Sequence, residues 1–148
     1  LPHIHIKEND RGCLSVIASY IGPDTIHTTD VVRILDASHF EWMGRLDFVI
    51  NSGGVKIHPE SLEKAHEKYF SFPFFYFGIP HDLLGEQLVL VVAQKHLKKS
   101  QEILAKINFD PKFYKPKGIL TVPEFLYTHS LKLRRKETLA LGYKVHNL

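Results

Sequence analysis

A mixed fold of strands and helices is predicted, with strands alone over residues 1–43 and helices only after residue 58. Three observations point there. Short β-prone runs separated by turn residues fill the first third. A glycine turn between two apolar runs leads straight into Pro59, which suits the first position of a helix. Gln87-Leu88-Val89-Leu90-Val91-Val92-Ala93 is apolar on both faces, as a central strand covered on both sides should be.

Taken in order, Leu14–Ala18 is a strand candidate and Gly22-Pro23-Asp24 a turn. Asp30–Leu35 and His39–Met43 form a hairpin around Asp36-Ala37-Ser38, in which Val32, Ile34, Phe40 and Trp42 share a face. Phe48-Val49-Ile50 is a short β-prone run, Asn51-Ser52-Gly53-Gly54 is turn chemistry, and Val55-Lys56-Ile57 alternates as a returning strand. Pro59–Phe70 reads as a helix with Leu62, Ala65 and Tyr69 as its apolar stripe and Glu60 and Glu63 near its positive end. Phe74–Ile79 is strongly β-prone and Pro80-His81-Asp82 breaks it. Lys98–Asn108 forms a second helix with Ile103, Leu104 and Ile107 on one face, stopped by Phe109-Asp110-Pro111. Gly118–Val122 is a further strand, and Arg134–Leu141 a short last helix with Gly142 as its stop.

Composition narrows the function. The 148 residues carry a net charge of +3 with both signs interleaved, too weak a field to argue for nucleic acid. The single cysteine, Cys13, rules out an internal disulfide framework and fits a reducing, cytoplasmic setting. No apolar run reaches the length of a membrane span. Leu1-Pro2-His3 is neither a signal peptide nor an initiator, so the chain is expected to be a fragment of a longer one. Ten histidines raise a metal hypothesis, with His3-x-His5 on one strand face and Asp24 or His27 as further ligands. No other pair has a zinc spacing, so no metal site is expected. Motifs for a serine-hydrolase elbow, a phosphate-cradling GxxxxGK[ST] loop and a dinucleotide GxGxxG are absent.

Gly44, Arg45, Asp47, Ile50, Gly53, Ile57, Pro59, Glu60 and Glu63 fit, in order, the hinge-and-turn pattern Gly-Arg-x-Asp, apolar triplet, polar pair, Gly-x-x-Ile, Pro-x-x-x-Glu. That pattern resembles the ANL superfamily of adenylate-forming enzymes, and the wording from Phe48 to Pro59 is most similar to that of the o-succinylbenzoate–CoA ligases of menaquinone biosynthesis. The resemblance runs over residues 26 to 138. It implies an α+β fold: a small C-terminal lid domain with a small sheet and two or three helices, residues 45–148, preceded by a β-rich remnant of the larger N-terminal domain, residues 1–44.

It also implies a chemistry. A carboxylate attacks ATP to give acyl-AMP, and CoA then takes the acyl group as a thioester. ATP, Mg2+ held mainly through the nucleotide, and CoA as co-substrate are expected, with a small carboxylate as substrate and the N-terminal domain of the same chain as partner. His27-Thr28-Thr29-Asp30 resembles the family's Thr-Gly-Asp, which makes Asp30 the acceptor for the ribose diol; read alone, Asp30 is a strand cap. Arg45 would hold the nucleotide through its guanidinium fork. Asp47 falls at the family's hinge, and Gly53-Gly54 at the turn lining the CoA tunnel.

Thr128-His129-Ser130-Leu131-Lys132-Leu133-Arg134-Arg135-Lys136 is similar to the family loop Thr-x-Thr-Gly-Lys-x-x-Arg-Lys, so Lys132 stands for the catalytic lysine, with Leu131 in place of glycine. The default reading of Lys132–Lys136 by charge alone is a solvated basic turn. Gly78-Ile79-Pro80-His81-Asp82 with Gly85-Glu86, and Tyr114-Lys115-Pro116-Lys117, resemble two further family segments. Two other functions share these residues. One is an adenylation domain that loads a carrier protein; the other is a non-catalytic, lid-like interaction domain.

Overall fold

The computed structural model describes residues 3–148. Leu1 and Pro2, with the parts of the fragment and domain expectations that rest on them, lie outside the described residues. The chain divides into two compact units, Leu1–Val49 and Ile50–Leu148. The resemblance puts a boundary at 44/45; the contacts divide the chain at 49/50.

The first unit is one antiparallel sheet in the order β1 (Ile4–Glu8), β2 (Cys13–Ala18), β3 (Ile26–Ile34) and β4 (Phe40–Arg45). The β3–β4 turn is set by Asp36, whose Oδ1 accepts the backbone N–H groups of Ser38 at 2.8 Å and His39 at 2.9 Å. The Ser38 backbone N–H first, and then the His39 ring, whose Nδ1 lies 2.9 Å from the same oxygen, hold the Asp36 carboxyl down at about 2. Val32 lies opposite Trp42 and Ile34 opposite Phe40, so the four share the expected face. Cys13, Leu14, Ala18, Val31 and Val32 are the unit's buried hydrophobic side chains.

Leu46–Phe48 is a 3-10 turn rather than the start of a strand. β propensity yields here because the chain is leaving one sheet for another, β4 ending at Arg45 and β5 starting at Ile50. β5 (Ile50–Ser52) and β6 (Val55–Ile57) follow, joined by Gly53 and Gly54 alone. Their φ angles of +57° and +82° are those of a two-residue primed turn, which glycine fills without strain.

In the second unit the sheet runs β10–β9–β8–β5–β6, with β7 (Phe74–His81) on β8 (Gly85–Ala93). β9 (Gly118–Val122) is parallel to β8, and α2 (Leu97–Lys106) lies in the crossover between them. β10 (Lys144–Asn147), which no periodicity in its polar sequence announces, pairs with β9. β7 runs through Pro80 to His81; it pairs on one side only, and an edge strand tolerates a proline.

Alternate residues of β8 enter two cores. Leu88, Leu90 and Val92 join Leu62, Leu104, Ile107 and Phe109 beneath α1 (Pro59–His66) and α2. Val89 and Val91 join Phe75, Leu120 and Val122, over which Phe125, Leu133 and Leu139 pack. The last two belong to the lysine segment and to α3 (Arg135–Ala140), so that segment covers the second face of the sheet. The buried stripe of α1 is Pro59, Leu62 and His66, not Leu62, Ala65 and Tyr69; Ala65 and Tyr69 are exposed. His66 is accepted in the core because its Nδ1 meets the Tyr76 hydroxyl at 2.9 Å and its ring stands edge-on to Phe109.

Candidate functional site

Each unit carries its own candidate residues. In the first, Asp30 on β3 and Arg45 on β4 are direct cross-strand partners. Directly opposed residues present their side chains on one face, about 5 Å apart at Cβ. The β3 side is fixed by Thr28, whose hydroxyl donates to the Leu14 carbonyl at 2.9 Å and accepts the Asp30 N–H at 3.2 Å. Asp30 Oδ1 accepts the indole N–H of Trp42 at 3.3 Å. Sequence reasoning put Trp42 in hairpin packing only, yet its ring is 47% exposed beside the carboxylate. Arg45 reaches Asp47 at 3.2 Å, with both side chains about half exposed. Such a pair contributes about 0–1 kcal/mol. The local chemistry is an acceptor-only carboxylate, a guanidinium and an exposed indole on one short hairpin.

Asp47 lies in the 3-10 turn, two residues before the division between the units. On the other side, the Gly53 N–H donates to the Leu84 carbonyl at 2.9 Å. A Cβ on Gly53 would meet Leu84 Cδ2 at 3.3 Å, whereas Gly54 faces open space. β5 and β8 share only the Ser52–Gly85 pair; Glu86 adds a carboxylate that accepts the Asn51 N–H at 2.7 Å.

Lys132 sits at the end of a closed hairpin. The Thr128 N–H donates to the Lys132 carbonyl at 2.8 Å, and the Lys132 N–H returns to Thr128 Oγ1 at 3.0 Å. Tyr127 and Leu133 bridge below it, and the Arg134 N–H bonds the Leu126 carbonyl at 2.8 Å. Leu131 takes φ +60°, a left-handed conformation that suits glycine, with its side chain 82% exposed. Holding a non-glycine residue there costs about 1–3 kcal/mol. The loop therefore keeps a glycine-type geometry with leucine in it, and the Lys132 side chain is exposed.

The basic cluster is not uniformly solvated. Arg134 pairs with Glu137 at 2.9 Å, and Arg135 is buried. Arg135 holds Glu63 with both prongs, Nη1 to Oε1 at 2.5 Å and Nη2 to Oε2 at 2.7 Å. Burial pushes the Glu63 carboxyl up, with the Arg135 guanidinium pulling the other way. Among the described residues no three His, Cys, Asp or Glu gather as metal ligands, and no helix is long and apolar enough to cross a membrane.

No family model matches the chain, and no curated protein matches it. Solved structures do. The acyl-CoA synthetase (AMP-forming)/AMP-acid ligase II-like protein from Dyadobacter fermentans is 31% identical over 96% of this chain, with a TM-score of 0.54. ATP-bound MatB from Rhodopseudomonas palustris is 17% identical over 96%, with a TM-score of 0.65. MenE from E. coli, bound to an analogue of OSB-AMS, is 21% identical over 93%, with a TM-score of 0.61. The chain spans 43%, 35% and 33% of those three chains. Its fold is accordingly the α+β fold found in the C-terminal part of ANL adenylate-forming enzymes.

Proposed function

We propose that this chain is the C-terminal part of an AMP-forming acid–thiol ligase, with residues 45–148 as its lid and residues 1–44 as the tail of the larger domain. The observation that carries this reading is the closed hairpin that presents an exposed Lys132 behind a left-handed residue. Attack of a carboxylate on a phosphate brings two anions together. Lys132 offsets that repulsion and the charge growing on phosphorus. A unit charge at ~4 Å is worth roughly 1 kcal/mol in bulk water and about 4 at an effective dielectric near 20, so the ammonium acts only once the closed lid has excluded water.

Asp30 accepts the ribose hydroxyls and Arg45 donates to ribose and phosphate oxygens, with Mg2+ carried in on ATP. Rotation of the backbone at Asp47 withdraws Lys132 and brings up the Gly53-Gly54 turn, whose bare backbone lets the pantetheine arm of CoA pass. The setting is cytoplasmic, and o-succinylbenzoate is the first acid to test, on the similarity of Phe48–Pro59.

The test is ATP–pyrophosphate exchange by the complete protein carrying this chain, with o-succinylbenzoate and a panel of aliphatic and aryl acids. Lys132→Ala should lower acyl-AMP formation by about 100- to 1000-fold and spare thioester formation from supplied acyl-AMP. The 148 residues alone should form no acyl-CoA. Unchanged adenylation in Lys132→Ala favours the interaction domain instead, and transfer to a carrier protein but not to CoA changes the acceptor.

A further inference from the structure

Tyr76 lies on β7, whose one strand partner among the described residues is β8. In a strand the N–H and C=O of one residue point to the same side. On β7 both groups of Tyr76 are taken by side chains: the N–H by Glu63 Oε1 at 2.8 Å and the carbonyl by Arg135 Nη1 at 3.2 Å. Glu63 comes from α1, over one face of the sheet, and Arg135 from the start of α3, over the other. The bidentate pair thus straps the strand edge, and the Arg135 guanidinium also lies over the Phe75 ring at 5.3 Å. Arg135 is three residues beyond Lys132. A second anchor holds the other strand of the lysine hairpin: the Leu126 N–H donates to Thr138 Oγ1 at 3.0 Å, and Thr138 is fully buried.

We propose that Glu63 and Arg135 are positioning residues for Lys132: the pair fixes the lysine hairpin to the edge of the sheet and so sets where the ammonium arrives. This rests on the adenylation role of Lys132. Glu63 and Arg135 touch no reacting atom. Their effect is confined to the step that uses the lysine, since only that step needs the hairpin tip at a defined place.

The experiment compares the two half-reactions in the complete ligase for Glu63→Gln, Arg135→Lys, Thr138→Val and Thr138→Ser, with Lys132→Ala alongside. Adenylation, read by pyrophosphate exchange, should fall on the order of 100-fold in Glu63→Gln, with thioester formation from supplied acyl-AMP within about twofold of the parent. Arg135→Lys keeps the charge but loses the fork, and should fall in adenylation alone. Thr138→Val should follow, and Thr138→Ser should restore it. Should Glu63→Gln not fold, Arg135→Lys and the Thr138 pair carry the same comparison. Equal losses in both half-reactions would mean a merely structural pair and overturn the proposal. Collapse in Lys132→Ala with intact adenylation in the folded clamp variants overturns the positioning role alone. Intact adenylation in Lys132→Ala overturns the function, and the clamp with it.

Discussion

The two units solve burial differently. The first is a single sheet that buries a small set, Cys13, Leu14, Ala18, Val31 and Val32, and leaves Tyr20, Ile21, Ile26, Leu35, Phe40 and Trp42 exposed. The second places its sheet between α1 and α2 on one face and the lysine segment with α3 on the other. Five consecutive residues of β8, Leu88 to Val92, are at most 2% exposed as a result. A sheet needs a second layer before its apolar face contributes stability. The second unit contains its layers; the first contains one.

The largest expected difference is all-or-none. Residues 50–148 expressed alone should melt in one cooperative transition by circular dichroism, and residues 1–49 alone should show none. A sharp transition in the short piece would break the comparison. Within the chain, Leu90→Ala should cost about 2–5 kcal/mol in urea unfolding, as truncations in close-packed cores do. Trp42→Ala should stay within about 0.5 kcal/mol. Equal costs would show the first sheet to be as well covered as the second.

The smallest effect concerns pH. Burial, with Lys68 adding to it, holds His66 below its ordinary 6.5, and burial acts on His58 in the same direction, with Glu60 opposing. The unfolded chain takes up these protons first, so stability is complete above pH 6.5 and declines as pH falls below it. Thermal melts of residues 50–148 between pH 7.5 and 5 should show this decline, and His66→Phe should reduce its slope. A flat profile would remove the two histidines from the account.

Much of this architecture is written in local pattern. The continuous apolar run of β8, the Gly53-Gly54 turn, Pro59 at the start of α1 and Gly142 after α3 each state their structure within a few residues. What the pattern hides depends on distant partners. His66 replaces Ala65 and Tyr69 on the buried face of α1 because Tyr76 and Phe109 wait for it. Arg135 sits in a run of cations that reads as solvated, yet Glu63, 72 positions earlier, draws it inside. Both members of that pair stand in the family-like motifs, which was the one available signal. Trp42 beside Asp30 is a matter of strand register, which a one-residue slip would change.

The sealed position of Cys13 has a practical consequence. It is the chain's only cysteine and is 0% exposed, so thiol-reactive labels find no native target. A cysteine introduced at His129, on the exposed lysine hairpin, and another at the exposed Ser38 turn would therefore take a spectroscopic pair cleanly. Distances between those two labels, recorded with and without nucleotide, would test the proposed swing of the lid directly.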